Sequence, residues 1–123
     1  MIFGIGTDIV AVTRMTEYFQ RHGERGLEKM LAPAEREACR SSLDPARFLA
    51  KRFAAKEALG KALGTGVRAP LLLPAITVEH DELGKPSFSY SPELAAHLAG
   101  LCAHLSISDE QDYAVAFVIL EKP

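Results

Sequence analysis

Apolar residues change their spacing several times along the chain, and each change marks an element. Residues 2–12 carry Ile2, Phe3, Ile5, Ile9, Val10 and Val12, with Gly4 and Gly6 between them. So continuous a run predicts a strand buried on both faces. Glycines inside it point to a bulge or to the close approach of another group. Thr13 opens a helical pattern that places Met15, Tyr18 and Phe19 on one stripe and stops at Gly23. Pro33 begins a short helix whose acids, Glu35 and Glu37, come early and whose Arg40 comes late, as the helix dipole favours. The longest periodic stretch follows. Asp44 and Pro45 form a helix start and Gly64-Thr65-Gly66 a stop. Between them Phe48, Leu49, Phe53, Ala54, Ala58, Leu59, Ala62 and Leu63 recur at helical spacing, leaving a second face of Arg52, Lys56, Glu57 and Lys61.

Beyond Gly66 the period shortens. Residues 69–74 form an apolar loop between prolines, and 75–80 and 86–90 are strands around the turn 81–86. Ser91-Pro92-Glu93 starts a helix that Gly100 ends. Residues 101–108 alternate: Leu101, Ala103, Leu105 and Ile107 face one way, Cys102, His104, Ser106 and Ser108 the other. A four-residue loop, 109–112, joins this strand to the last one, 113–120, as in a hairpin. No repeat or linker interrupts the chain. The predicted class is α+β, a largely antiparallel sheet packed on one long helix in a single domain spanning residues 1–123.

Composition narrows the setting. A chain of 123 residues with 48% hydrophobic and 24% charged residues suits one folded core. Cys39 and Cys102 lie far apart with no CxxC spacing, which argues against zinc or a disulfide framework and fits a reducing cytoplasm. No window has the apolar length of a membrane span, and the apolar N-terminus carries Asp8 and lacks a basic leader. The net charge of −2 divides unevenly, +4 over residues 1–68 and −6 over residues 69–123. The basic half offers a surface to an anion: a nucleic acid, an acidic protein or a phosphorylated small molecule. The chain has no Trp and no aromatic series among its cations, which disfavours a single-strand stacking platform. Arg14 and Arg21 share a helix face, and Arg25 and Lys29 extend it into a basic patch.

Two features carry candidate chemistry. Asp8 interrupts an apolar strand, where a carboxylate is costly unless paired, hydrogen-bonded or bound to a cation. A turn-capping Asp is the plainer alternative. The Arg52, Lys56, Glu57 and Lys61 face sets one acid among cations. That is either a solvated face or an arrangement for a hard metal ion on phosphate oxygens. His104 sits on a polar strand face between Cys102 and Ser106 and reads by default as hydrogen-bonded structure. GIGTD lacks the third glycine of a dinucleotide fingerprint.

GIGTDIV (4–10), RFAAKEALGKALGTG (52–66), DELGKP (81–86) and HLSIS (104–108) occur in this order. Together they resemble the small stand-alone 4′-phosphopantetheinyl transferases, the holo-[acyl-carrier-protein] synthases, from Gly4 to about Leu120. The resemblance implies that Asp8 and Glu57 bind Mg²⁺ and that Lys61 contacts the coenzyme A pyrophosphate. It implies that Arg52 and Lys56 face the nucleotide phosphates and that Gly64, Thr65 and Gly66 line the coenzyme A site. Lys85 and Pro86 match its adenine side, and His104 and Ser106 a strand beside the nucleotide. Arg14, Arg21 and Arg25 match the basic helix that receives the acidic helix of an acyl carrier protein. The implied assembly is a homotrimer in which one subunit supplies Asp8, Glu57 and the long helix and its neighbour part of the pocket. One departure is the loop Asp109-Glu110-Gln111-Asp112, where many members carry a histidine.

The implied activity is Mg²⁺-dependent transfer of phosphopantetheine from coenzyme A to a carrier-protein serine, in fatty acid biosynthesis, in the cytoplasm, with no nucleic acid or membrane partner. The serine proton could pass to Glu57, through Asp8 to a water held by the ion, or to free water. The competing expectation from the residues alone is a non-catalytic module that docks an acidic protein or coenzyme A through its basic helix.

Overall fold

The first and last strands of the chain are neighbours. The computed structural model describes all 123 residues, Met1–Pro123. In it β1 (Ile2–Ala11) pairs antiparallel with β5 (Tyr113–Glu121), and β5 with β4 (Cys102–Asp109). Between β1 and β4 the chain makes α1 (Val12–Met30), α2 (Pro33–Arg40), α3 (Pro45–Leu63), a 3-10 turn at Leu73–Ala75, the hairpin β2 (Ile76–His80) and β3 (Pro86–Tyr90), and α4 (Pro92–His97). The class is α+β and all pairing is antiparallel, but the strands divide into a sheet ordered β1-β5-β4 and a separate two-stranded β2-β3 sheet.

Strand periodicity places Gly4, Gly6, Asp8 and Val10 on one face of β1 and Ile5, Thr7 and Ile9 on the other. α3 lies against the first face. A Cβ added to Gly4 would stand 1.9 Å from the Ala62 carbonyl oxygen, and one on Gly6 would stand 2.0 Å from that of Ala58. The glycines are there because another backbone touches them. The helix meets them with alanines: Ala50, Ala54, Ala55, Ala58 and Ala62 are buried, with Leu49 and Leu59. Its ends are the ones its sequence foretells. Asp44 Oδ1 accepts from Arg47 N at 3.1 Å, and Gly64, at φ 90°, sends its N–H to the carbonyls of Gly60 and Lys61.

One expectation is extended and one corrected. The first helix starts at Val12 and its first part ends at Gly23 as expected, but a second helical part follows. Gly23 breaks its geometry at φ 54° and ψ −137°, after which the helix resumes to Met30. The second part buries Leu27 and Met30, and the Tyr18 hydroxyl donates to the Gly26 carbonyl at 3.0 Å across the break. Apolar burial returns the chain to helix beyond the break. β1, by contrast, is not buried on both faces: Ile5 is 60% exposed, Ile9 62% and, on β5, Phe117 42%. The outer face of the three-stranded sheet meets no other element of the chain, because every helix lies elsewhere.

The β1–α3 contact sets up a direct test. Gly6→Ala forces the strand off the helix and should cost about 1–3 kcal/mol, as overpacking does. Urea unfolding should show a lower midpoint for Gly6→Ala than for the wild type, since the added Cβ would stand 2.0 Å from the Ala58 carbonyl oxygen. Equal midpoints would mean that the contact is not tight.

Candidate active site

Asp8 lies on the α3 side of β1, and its side chain is 17% exposed. Lys61, in the last turn of α3, reaches across to it. Lys61 Nζ donates to Asp8 Oδ1 and to the Thr7 carbonyl, each at 2.9 Å. An ammonium has three N–H groups, so one is left for a ligand, and the side chain is half exposed. Glu57 stands one turn before Lys61 and has neither ion pair nor hydrogen bond of its own. Partial burial raises its carboxyl above the ordinary value. The Asp8 charge adds to that rise, while Lys61 and Arg14 oppose it. Two acids 49 positions apart in the chain therefore share one neighbourhood with two cations. Arg14 is held there over the Phe53 ring, 5.3 Å from its centroid.

The candidate donors are two carboxylates, and nowhere in the chain do three or more His, Cys, Asp or Glu side chains gather as a metal-holding group; carboxylate oxygens suit a hard divalent cation rather than zinc or copper. Like charge and partial desolvation make the pair favourable to such an ion. A shallow hollow of about 410 Å³, lined by Ile5, Gly6, Thr7, Lys61 and Phe117, opens beside it. Gly64, Thr65 and Gly66 follow directly on α3, with Gly66 N–H bonded back to the Gly60 carbonyl at 3.0 Å and Gly64 and Thr65 exposed.

The expected single face of Arg52, Lys56, Glu57 and Lys61 does not exist as such. Lys56 is wholly buried and cannot face nucleotide phosphates. Its ammonium donates to Glu35 Oε1 at 2.6 Å, the Met30 carbonyl at 2.8 Å and the Leu73 carbonyl at 3.1 Å. Burial lowers its pKa to about 8 against the opposing pull of Glu35. The reason for the miss is geometric. Adjacent helical residues diverge by about 100°, so Lys56 can be enclosed while Glu57 is not. Glu35 itself was legible only as an early helical acid. Its position, third in a helix that opens with Pro33, is that of a capping-box acid, and Oε1 also accepts from Ala32 N at 2.8 Å.

Arg52 points away from Glu57, about 140° round the helix. Its guanidinium donates to Glu35 Oε2 at 3.0 Å and to the Val78 carbonyl, and stacks 4.4 Å over Phe48. It borders a cavity of about 220 Å³ with Arg47, Lys51 and His80, a positive corner not foreseen from the sequence. Burial and the charges of Arg52 and Lys51 hold the His80 pKa below the usual value. Arg47 pins the loop at 109–112: it pairs with Asp109 at 3.2 Å and donates to the carbonyls of Glu110 and Gln111. That loop is thereby a salt-bridged latch onto α3.

The remaining expected residues, Arg14 excepted, stand apart from the Asp8 cluster within the chain. Lys85 and Pro86 are on the β2–β3 hairpin. His104 and Ser106 are exposed on the outer sheet face, where His104 Nε2 lies 2.9 Å from Glu121 Oε1. Arg14, Arg21 and Arg25 are exposed on α1 and form no ion pair, with the Gly23 break between the last two. No helix is long and apolar enough to cross a membrane.

A family model for the 4′-phosphopantetheinyl transferase superfamily matches residues 4–118. The holo-[acyl-carrier-protein] synthase of Azoarcus sp. (strain BH72) is 59% identical over 123 residues, 98% of either chain. The crystal structure of holo-[acyl-carrier-protein] synthase from Neisseria meningitidis superposes with a TM-score of 0.95 at 44% identity, covering 99% of this chain and 100% of that one. The Bacillus anthracis str. Ames synthase in complex with CoA (3′,5′-ADP) gives 0.85 at 35% identity, covering 100% and 99%. An acid from the first strand, an acid and a lysine one turn apart on a central helix, and this agreement over the full length lead to one assignment: the chain belongs to the 4′-phosphopantetheinyl transferase superfamily.

Proposed function

We propose that this protein is a holo-[acyl-carrier-protein] synthase: it transfers 4′-phosphopantetheine from coenzyme A to a serine of apo acyl carrier protein, leaving 3′,5′-ADP. One observation carries the reading. The 2.9 Å contact between Lys61 and Asp8 closes β1 onto α3 beside Glu57, in a chain whose relatives bear that name along their whole length. The named complexes of similar synthases with coenzyme A accord with that substrate.

The serine oxygen attacks the β-phosphorus of coenzyme A, and the bond from that phosphorus to the bridging oxygen breaks. The serine proton goes to water or to a carboxylate of the cluster. Asp8 and Glu57 would hold Mg²⁺, which when bound offsets pyrophosphate charge and stabilises the leaving phosphate. Lys61 keeps one N–H for a phosphoryl oxygen and supplies charge where it grows on the leaving group. Gly64, Thr65 and Gly66 would offer backbone to the substrate, Arg52 the nucleotide side, and Lys85, Pro86, His104 and Ser106 further contacts from a neighbouring copy. Arg14, Arg21 and Arg25, all exposed and unpaired, would receive the carrier's acidic helix.

A homotrimer is supported by the uncovered sheet face, where Ile5, Ile9, Tyr113 and Phe117 are each more than two-fifths exposed. So much contiguous apolar surface marks an interface. Two unpaired cysteines, one buried and one exposed, accord with the cytoplasm.

Asp8→Ala and Glu57→Ala should each lower transfer at least ~10²-fold, scored as mass gain on an apo carrier protein with coenzyme A and Mg²⁺, with circular dichroism unchanged. Full activity in either would remove the ion-site reading. Arg21→Glu should raise the apparent KM for the carrier about 10-fold, more at low salt, and leave that for coenzyme A unchanged. Equal loss for both substrates would mean the helix is only structural. Ile5→Asp should convert the protein to monomers in light scattering after gel filtration, with activity lost alongside. A trimeric Ile5→Asp variant would place the interface elsewhere.

A further inference from the structure

Lys56, which the structure removes from the phosphate side, precedes Glu57 in the chain. Its three donors end on three separate segments: the last residue of α1 at Met30, α2 at Glu35 and the turn before β2 at Leu73. Glu35 is filled as completely. Oε1 accepts from Lys56 and Ala32 N, and Oε2 from Arg52 and from Val78 N at 3.0 Å. The pair thus joins α1, α2, α3, β2 and the intervening turn, and no buried side-chain polar atom in the protein is without a partner.

Burying such a pair brings little or no net stability over well-packed apolar residues of the same volume. What it supplies is direction. The other side of α3 presents alanines to the Gly4 and Gly6 backbone, a smooth contact that fixes how near strand and helix come but resists rotation weakly. Three hydrogen bonds at set angles do resist it.

We infer that the buried Lys56–Glu35 pair is a positioning device: it locks the rotation of α3 about its own axis and so aims Glu57 at Asp8. The inference rests on the reading that Glu57 and Asp8 hold the ion. A rotation of about 20° would carry a carboxyl roughly 5–6 Å from the helix axis through about 2 Å. Displacements of about 1 Å already cost about 10²-fold in rate. Lys56 and Glu35 touch no reacting group; they act through Glu57.

The test uses the full chain with coenzyme A bound and Mn²⁺ as the probe, its affinity read by electron paramagnetic resonance beside steady-state kinetics and urea unfolding. The double variant Glu35→Leu/Lys56→Met removes both charges of the pair but leaves Arg52 and the N–H groups of Ala32 and Val78 without their acceptor, so it should unfold cooperatively at a lower midpoint than the wild type. Its Mn²⁺ affinity and kcat should nevertheless fall 10- to 100-fold, about the loss seen when groups supporting a metal ligand are removed, with the carrier KM unchanged. Lys56→Met alone should show the same losses with a lower midpoint. A folded double variant with wild-type Mn²⁺ affinity and kcat overturns the inference. Should both variants fail to fold, Glu35→Gln decides, since it keeps the shape and a weaker acceptor for Lys56: wild-type Mn²⁺ affinity there overturns the inference as well. Wild-type Mn²⁺ affinity in Asp8→Ala would defeat the ion-site reading and the inference with it, whereas lost affinity there beside wild-type affinity in the double variant overturns the inference alone.

Discussion

Where β1 crosses α3 no side chain separates the two backbones. Gly4 and Gly6 stand so close to the carbonyls of Ala62 and Ala58 that a single methyl group on either would collide. Close contact of this kind maximises dispersion and excludes water without filling the space with bulk. It also determines chemistry. Asp8 is two residues beyond Gly6 on the same strand face, and Lys61 and Glu57 flank Ala58 on the helix. Bringing the backbones together brings these charged groups together.

The opposite side of α3 is built on another principle. There a buried carboxylate and ammonium, each with every hydrogen-bonding position used, connect four other segments to the helix. One side of α3 sets distance and the other sets angle. Together they hold a carboxylate on the helix and one on a strand in register, Asp8 bonded across to Lys61 of the helix and Glu57 held only by the placement of its backbone.

The polar residues of α3 are therefore not one functional face but three. Glu57 and Lys61 look toward β1, Lys56 inward, and Arg52 toward the hairpin and the corner formed with Lys51 and His80. Residues on the outer sheet face, among them His104 and Ser106, look toward space that another copy of the chain would fill. The proposed assembly of the site across copies would account for why these groups are dispersed within one. The uneven charge of the chain follows the same division, with unpaired arginines on α1 and few cations to balance the acids after residue 68.

Much of this was legible locally. The ends of α3 were written in Asp44, Pro45 and Gly64, the two hairpins in their turn residues, and the close approach at β1 in Gly4 and Gly6. The resemblance of four short motifs pointed to the family. The Gly23 stop holds, but the second helical part beyond it was not legible, because what draws the chain back into helix is the burial of Leu27 and Met30. The doubly buried β1 failed because an apolar run reads alike whether its outer face meets the same chain or another copy. By itself the sequence determined the elements, their order and the two acids and lysine of the site, since capping, periodicity and motif are matters of neighbours along the chain. Only the tertiary structure decided that Lys56 is buried on Glu35 while Glu57 beside it faces Asp8. That choice depends on what packs around the helix at each angle, and those groups come from positions 30, 35, 73 and 8, far away along the backbone and adjacent only once it has folded.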